Sequence, residues 1–237
     1  MLKRAALTTL AAMAAVFASP AAAEPIMLDA GNIGDSFTID YDGFADGQTI
    51  DGLSATTVYT LTGINGDTYE FDYAVTNTTS GSGIDSRISS FAFNTDPDIS
   101  SASSTGTFNF VLSDSNYPNG IGSVDVCFKA ARTNSCAGNR GGLMAGETGT
   151  GSLSLQFASS PTSITLDDFF VRYQSITGVN GITSASGKQT STSTSSSSGG
   201  TPVPAPGILG IFALALVGLG FMRRRRRFEP ALAPATA

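Results

Sequence analysis

Three groups of side chains have types and spacings that could perform chemistry. The first is the stretch DYDGFADGQTIDG, in which Asp40, Asp42 and Asp46 lie close together in sequence. Carboxylates and carbonyls of loops are the ligands that Ca²⁺ prefers, so these residues are a candidate calcium site. The stretch departs from an EF-hand, because Phe44 stands where an oxygen ligand is expected and no glutamate occupies the twelfth position. The alternative interpretation is that the carboxylates form turns and keep the surface soluble.

The second group is the only pair of cysteines in the chain, Cys127 and Cys136. A tetrahedral zinc site lacks ligands, because the chain contains no histidine and no further cysteine. Eight residues separate the two cysteines, whereas a redox-active pair is typically separated by two. The even count and the Gly- and Asn-containing segment favour a disulfide that closes the end of a β-hairpin.

The third group is the adjacent pair Asp167 and Asp168, which resembles the two carboxylates of a glycosidase in type alone. Adjacent residues of a strand point to opposite faces, so we expect that the two cannot serve one site. The absence of histidine also removes the usual general base from a serine or cysteine triad. We therefore expect no enzymatic activity.

A carbohydrate-binding module is the alternative function. Such sites need exposed aromatic faces, and the chain has no tryptophan. The candidate residues for stacking on sugar rings are Tyr41, Tyr59, Tyr117 and Tyr173. Most of them also fit as strand or core residues.

The elements that would position these groups alternate apolar and polar residues with a period of two, which predicts half-buried strands. The alternation is found in the segments SFTIDY, TYEFDYAV, TFNFVL, SVDVCFKA and SLSLQF. Further candidates are TTVYTLTG, ISSFAFNT and SITLDDFFVRYQSI, which bring the total to about eight. Short strands separated by Gly, Asp, Asn and Ser turns predict an all-β, antiparallel β-sandwich with a jelly-roll-like arrangement.

Both ends of the chain differ from this middle region. Residues 1–23 have two basic residues, an apolar stretch and small residues before Glu24, which predicts a cleaved signal peptide and an oxidising compartment that suits the disulfide. We expect an ectodomain at 24–183 and a Ser/Thr- and Pro-rich linker at 184–206. An apolar run at 208–222 predicts a short transmembrane helix, and residues 228–237 form a short tail.

The order of features at the C-terminus resembles the PEP-CTERM sorting signal of Gram-negative bacteria. The motif residues are Val203, Pro204, Ala205, Pro206 and Gly207, and Ala205 stands where the family commonly has Glu. The apolar run is followed by Arg223, Arg224, Arg225, Arg226 and Arg227, which we expect to stay cytoplasmic. The resemblance implies processing by an exosortase, transient residence in the inner membrane, and delivery to the cell surface or an extracellular polysaccharide matrix. An ordinary membrane anchor without processing is the alternative.

The middle of the chain resembles the cistern family of PEP-CTERM proteins. The segments that carry the resemblance are GDSFTIDYDGF, SRISSFAFNTDPDISSASSTGTFN, GSVDVCFKAARTNSCAG and LDDFFVRYQSI. The similarity implies an exported, sorted surface protein and supplies no catalytic residue.

The charge of the middle region bears on the partners of the protein. Residues 24–200 carry six basic and 18 acidic side chains, a net charge of −12. We expect that no basic patch forms and that nucleic acid is therefore not a partner. A structural or adhesive role is the function that the sequence favours, with a carbohydrate- or calcium-binding module as the alternative and no other cofactor expected.

Overall fold

The computed structural model describes residues 24–138 and 140–196. Over these residues the chain forms fourteen β-strands and two short 3-10 turns, at Ala30–Asn32 and Gly106–Phe108. The strands are β1 (Ile26–Asp29), β2 (Ser36–Tyr41), β3 (Phe44–Ala45), β4 (Gln48–Thr49), β5 (Ala55–Asn65), β6 (Thr68–Asn77), β7 (Asp85–Asp96), β8 (Ile99–Ser104), β9 (Phe110–Tyr117), β10 (Gly122–Lys129), β11 (Leu143–Met144), β12 (Thr148–Phe157), β13 (Ser163–Thr177) and β14 (Ser184–Ser195).

Every described strand pair is antiparallel, and the main path of the sheet runs β8-β12-β6-β5-β2-β14-β13-β7-β10-β9. The predicted all-β, antiparallel class is confirmed. The structure has six strands more than the eight expected. Four of them, β1, β3, β4 and β11, are too short for an alternating pattern to reveal them, and the other two, β8 and β14, are rich in Ser and lack apolar alternation.

Strand β14 joins the two halves of this sheet. Its first part, residues 184–188, pairs with β13, and its second part, residues 189–195, pairs with β2. The prediction that a flexible linker begins at residue 184 is therefore wrong for 184–195. Backbone hydrogen bonds to two neighbours hold this segment in the sheet despite a sequence without apolar alternation.

The small residues of β14 have a packing role at Gly187. A Cβ atom at this position would overlap the carbonyl oxygen of Asp42 and the side chains of Val171 and Tyr173. The strand thus passes so close to its neighbours that only glycine fits. At this position, a residue type that is typical of a spacer is required by close packing.

Aromatic side chains from the two halves of the sheet meet in a common core. Phe37 in β2 contacts Phe169 in β13 with ring centroids 6.3 Å apart, and Tyr59 in β5 lies 6.0 Å from both Phe91 and Phe93 in β7. Edge-on and tilted pairs of this kind contribute about 0.5–1.5 kcal/mol each beyond the area that they bury. Aromatic rings from both halves of the sheet therefore form one common core.

The segment TFNFVL departs from its predicted strand. Residues Gly106–Phe108 form a 3-10 turn, and the strand begins only at Phe110. The turn needs Gly106, whose φ is +75° and whose Cβ, if present, would overlap the backbone of Thr150. The Tyr73 hydroxyl accepts a 2.9 Å hydrogen bond from the amide of Phe108 and donates one of 2.7 Å to Thr105, so the turn delivers Phe108 into the core.

Strand β7 is buried over most of its length and on both faces. One face contributes Phe91 and Phe93 to the main core. On the other side, Ala92 joins a second, smaller cluster that contains Tyr117, Cys127 and Cys136. The second cluster shows that a further segment of chain covers this strand from outside.

The predictions for the two ends of the chain lie outside the described residues. These are the signal peptide at 1–23, the sorting motif at 203–207, the transmembrane helix at 208–222, the arginines at 223–227 and the tail at 228–237. Within 24–138 and 140–196, no helix is long and apolar enough to cross a membrane.

Candidate functional site

The covering segment lies in the connection between β10 and β11, and its described residues, 130–138 and 140–142, are called the disulfide loop. Cys127 lies in β10, opposite Ala92 of β7 and Leu112 of β9, and is at disulfide distance from Cys136 in the loop, with 6.1 Å between the Cα atoms. The pairing agrees with the prediction, but the expected position does not. The bond ties a connection onto the outer face of the sheet and does not close the end of a hairpin.

Side chains of the sheet also hold the disulfide loop by donating hydrogen bonds to its carbonyl oxygens. The pairs are Ser90 to Cys136 at 2.7 Å, Gln174 to Ala137 at 2.7 Å, Lys129 to Thr133, and Arg87 to Gly141. Four carbonyl groups of the loop are thus turned toward the sheet. The loop is fixed at both of its ends and near its middle.

Between the disulfide loop and β13 lies a cavity of about 410 Å³, which we call the basic cavity. Its lining residues are Arg132, Thr133, Asn134, Ser135, Ala137, Gly138, Arg140 and Gln174. None of these carries a carboxylate. Arg132 and Arg140 are exposed, and the guanidinium of Arg132 lies 5.8 Å from the ring centre of Phe110.

Basic side chains gather around this cavity. Besides the two cavity arginines, Lys129 and Arg87 bind carbonyls of the disulfide loop. Burial lowers the pKa of Lys129, a residue that is 2% exposed, and also that of the Arg87 guanidinium. Arg172 lies two residues before Gln174 in β13, and the sixth basic residue of 24–196, Lys188, lies over the ring of Phe44.

Arg172 is a buried cation held by neutral groups. It is 5% exposed, and its guanidinium donates to the hydroxyl of Ser184 at 2.8 Å and to that of Ser186 at 3.4 Å. Ser184 lies opposite Gln174, which lines the basic cavity. The Nε atom of Arg172 is buried and has no hydrogen-bond partner in the described part of the chain. Burial lowers the pKa of this guanidinium.

The amino-acid sequence does not reveal this site, and its acidic balance predicts that no basic patch forms. The net charge of −12 is a sum over the whole domain and says nothing of where the charges lie. It therefore hides five cations that come from three strands and one loop. Arg132 and Arg140 beside Cys136 in the sequence were the only local signal.

The candidate calcium ligands are engaged in the local structure. The Asp40 carboxylate accepts hydrogen bonds from Thr56 at 2.9 Å and Ser191 at 2.8 Å, and the Asp42 carboxylate accepts one from the amide of Lys188 at 3.0 Å. Asp46 has a φ of +50° in the two-residue turn between β3 and β4, a position that favours Asp before Gly. In the described ranges, no group of three or more His, Cys, Asp or Glu residues is arranged to hold a metal ion.

Asp167 and Asp168 share one face of the sheet, contrary to the expectation from strand alternation. A β-bulge interrupts the pairing of β13 with β7 after Asp167, and Asp168 has a φ of +48°. Asn94 lies opposite Asp167 and donates a 3.1 Å hydrogen bond to Asp168, so both carboxylates lie beside Asn94. Burial, followed by the neighbouring charges of Asp168, Asp125 and Asp96, raises the pKa of Asp167.

The tyrosines that were candidates for sugar stacking are core residues. Each of Tyr41, Tyr59, Tyr117 and Tyr173 is at most 2% exposed. None offers a ring face to a ligand. An aromatic platform built from these four residues is therefore excluded in this fold.

The outer face of β5, β6 and β12 carries a polar groove. Two adjoining depressions of about 430 Å³ and 280 Å³ share Asp72 and Ser152, whose side chains are joined by a 2.8 Å hydrogen bond. Thr60 and Thr150 line the first depression, and Glu70 lines the second. Hydroxyl and carboxylate groups thus line this surface together with apolar residues such as Val58, and we call it the hydroxyl groove.

The fold and these surfaces define a disulfide-bonded, all-β antiparallel protein with a basic cavity on one face and a hydroxyl groove on another. No protein-family model, no curated protein and no solved structure matches the chain.

Proposed function

We propose that this chain is an exported structural or adhesive protein of the cell surface or of an extracellular polysaccharide matrix. Its C-terminal segment, with the motif Val203 to Gly207, serves as a sorting signal for an exosortase and holds the precursor in the inner membrane until processing. The proposal includes a signal peptide at 1–23 and a membrane helix at 208–222. It assigns no catalytic step to the domain.

The observation that carries this proposal is the pair Cys127 and Cys136. Disulfides form and persist in exported proteins and are rare in the reducing cytosol. Both cysteines are fully buried beneath or within the disulfide loop, in a cluster with Ala92 and Tyr117, so the bond has a place in the architecture. A disulfide-bonded, all-β domain suits a structural role outside the cell.

The test is the intact mass of the protein in the cell-surface and culture-medium fractions of the producing cells. We expect a species that starts near Glu24, ends near Pro206 and is two hydrogens lighter than the dithiol form. A chain that retains Met1 and Ala237 in every fraction would overturn the proposal. A variant with Arg223 to Arg227 replaced by glutamine tests sorting separately from export, because its signal peptide and disulfide are intact.

Carbohydrate binding is the second candidate function, and the hydroxyl groove favours it. Sugar hydroxyls both donate and accept hydrogen bonds, and the groove offers the carboxylate of Asp72 together with the hydroxyls of Thr60, Thr150 and Ser152. The buried tyrosines restrict such binding to polar contacts. The groove is also open to solvent, so we expect weak binding that gains strength when several copies engage one polymer.

Cosedimentation with extracellular polysaccharide of the producing cells tests this candidate. The variant Asp72→Asn with Ser152→Ala should lower the bound fraction, because it removes the central polar pair of the groove. A matched control is Asp98→Asn with Ser100→Ala, which changes the same residue types outside the groove lining. Equal binding by the two variants would exclude the groove.

We also retain the jelly-roll-like β-sandwich as the finer description of the fold. The edge-on aromatic contacts between β2 and β13 and between β5 and β7 support it. The fold departs from a sandwich of two separate sheets in one respect, because β14 pairs with both β13 and β2 and so connects the two halves.

A further inference from the structure

We propose that the basic cavity binds an oxyanion, namely a carboxylate, sulfate or phosphate group. This inference rests on the charges and contacts around the disulfide loop and is independent of export and of the hydroxyl groove.

The first support is the placement of charge. The domain has three times as many acidic as basic residues, yet four of its six basic residues either lie in the disulfide loop or bind its carbonyl oxygens. The cavity lining includes Arg132 and Arg140 and no carboxylate. In a chain so rich in Asp, a cavity with two arginines and no acidic residue presents a local positive potential.

The second support is the chemistry of the lining. A guanidinium group offers paired N–H donors that match the two oxygens of a carboxylate or phosphate. Asn134, Ser135 and Thr133 add neutral polar groups around these arginines. The wall contains no large apolar side chain, so a hydrophilic ligand fits better than an apolar one.

The third support is rigidity. The disulfide and the four hydrogen bonds from the sheet fix the loop before a ligand arrives, and Arg132 is restrained further by its position over Phe110. A site that is already ordered loses less conformational entropy on binding. Ligand affinity should therefore depend on the intact disulfide.

The fourth support is Arg172, whose hydrogen-bond partner Ser184 lies opposite the cavity residue Gln174. Its charge is buried among serine hydroxyls, and its Nε atom lacks a hydrogen-bond partner in the described residues. Removing a cation from water without a neighbouring anion is unfavourable. An oxyanion in the basic cavity would stabilise this charge, because the intervening protein screens the attraction less than water does.

Thermal unfolding of the full chain in mild detergent, at constant ionic strength, tests the proposal. The additives are potassium phosphate, potassium sulfate, an oligogalacturonate and an uncharged cello-oligosaccharide, each compared with potassium chloride. We expect the three oxyanion additives to raise the midpoint in a saturable manner and the uncharged sugar to leave it unchanged. A response to the inorganic ions alone identifies a free-ion site, whereas tighter binding of the oligogalacturonate identifies an acidic sugar as the ligand.

The variant Arg132→Gln with Arg140→Gln should weaken oxyanion binding about tenfold or more, since it removes charge-assisted hydrogen bonds. Lys188→Gln is the matched control, because it removes a positive charge away from the cavity. The five tail arginines are common to all of these chains. Both substituted arginines are exposed, and the midpoint of each variant in chloride checks that it folds.

Equal affinities for the parent chain and the double variant would overturn the proposal, as would an equal response to the uncharged sugar. Sedimentation of the same samples tests whether a second copy of the chain occupies the cavity instead. Self-association that the double variant abolishes, in the absence of any oxyanion response, would assign the cavity to the acidic surface of a second copy.

Discussion

The hydroxyl of Ser90 in β7 donates a 2.7 Å hydrogen bond to the carbonyl oxygen of Cys136. The disulfide loop is thus attached to β7 by a hydrogen bond as well as to β10 by the bond between Cys127 and Cys136. This double attachment explains why β7 is buried on both faces. It also makes the loop part of the rigid structure, which a binding site on its surface requires.

The first prediction concerns the disulfide. Replacing both cysteines with serine should lower the free energy of unfolding by roughly 2–3 kcal/mol, because the bond closes a loop of about ten residues in the unfolded chain. Urea unfolding of the parent chain and the variant measures the difference. A reducing agent should destabilise the parent chain and leave the double variant unchanged; identical parent unfolding with and without reductant would contradict the prediction.

The second prediction concerns the Tyr73 hydroxyl. Tyr73→Phe removes the acceptor of the buried Phe108 amide and the donor to Thr105, so stability should fall by about 1–3 kcal/mol. Tyr69→Phe is the matched control, because its hydroxyl makes one 3.1 Å bond, to the carbonyl oxygen of Pro161. The control should lose less stability than Tyr73→Phe. The reverse order of the two denaturation midpoints would show that the 3-10 turn does not depend on this hydroxyl.

The third prediction concerns alkaline pH. Burial raises the pKa of Tyr41, Tyr59, Tyr117 and Tyr173 above the ordinary value near 10. Because the folded state holds these protons more tightly than the unfolded state, their contribution to stability is complete below about pH 10 and is lost as the pH rises through the folded-state values.

Absorbance at 295 nm and circular dichroism, followed together from pH 8 to pH 12.5, test this linkage. Ionisation of these tyrosines should coincide with loss of the β-sheet signal. Ionisation of all six tyrosines near pH 10 with the sheet intact would be inconsistent with their burial.

The fourth prediction concerns the boundary of the domain. A chain that stops after Thr183 lacks β14 and leaves β2 and β13 without their shared partner, so it should not unfold cooperatively. A chain that stops after Ser196 keeps β14 and should match the midpoint of the full chain. Equal thermal unfolding of the two truncated chains would mean that residues 184–195 are a spacer after all.

The fifth prediction concerns sorting. Replacing Arg223 to Arg227 with glutamine removes the positive charge that holds the end of an apolar run on the cytoplasmic side. We expect loss of membrane retention or of processing, seen by immunoblotting of membrane and medium fractions. Unchanged retention together with unchanged size would count against the sorting signal. Replacement with lysine is the control and should preserve the parental behaviour.

The pattern of apolar residues was sufficient to predict most of the long strands. Phe37, Ile39 and Tyr41 alternate with polar neighbours, and the structure buries them on one face of β2. Such alternation predicts a strand because successive side chains of a strand point to opposite sides of the sheet. The pairing of Cys127 with Cys136 followed in the same way from composition alone.

Strand β14 and the bulge at Asp168 were not predictable in this way. A Ser/Thr-rich segment such as Ser184–Ser195 carries no apolar pattern, and it becomes a strand because β2 and β13 present open edges to it. The bulge changes the face that a residue occupies without changing the residue types. Both features depend on pairing with strands that are distant in sequence.

The sequence by itself determined the all-β class, the identity of the disulfide and the amphipathic pattern of the principal strands, because these depend on residue type and on local periodicity. Only the tertiary structure decided the position of the disulfide loop, the grouping of the basic residues and the burial of the tyrosines. Arg87, Lys129, Arg140 and Arg172 are up to 85 positions apart in the chain. Their proximity arises from the register of β7, β10 and β13, which long-range backbone pairing sets.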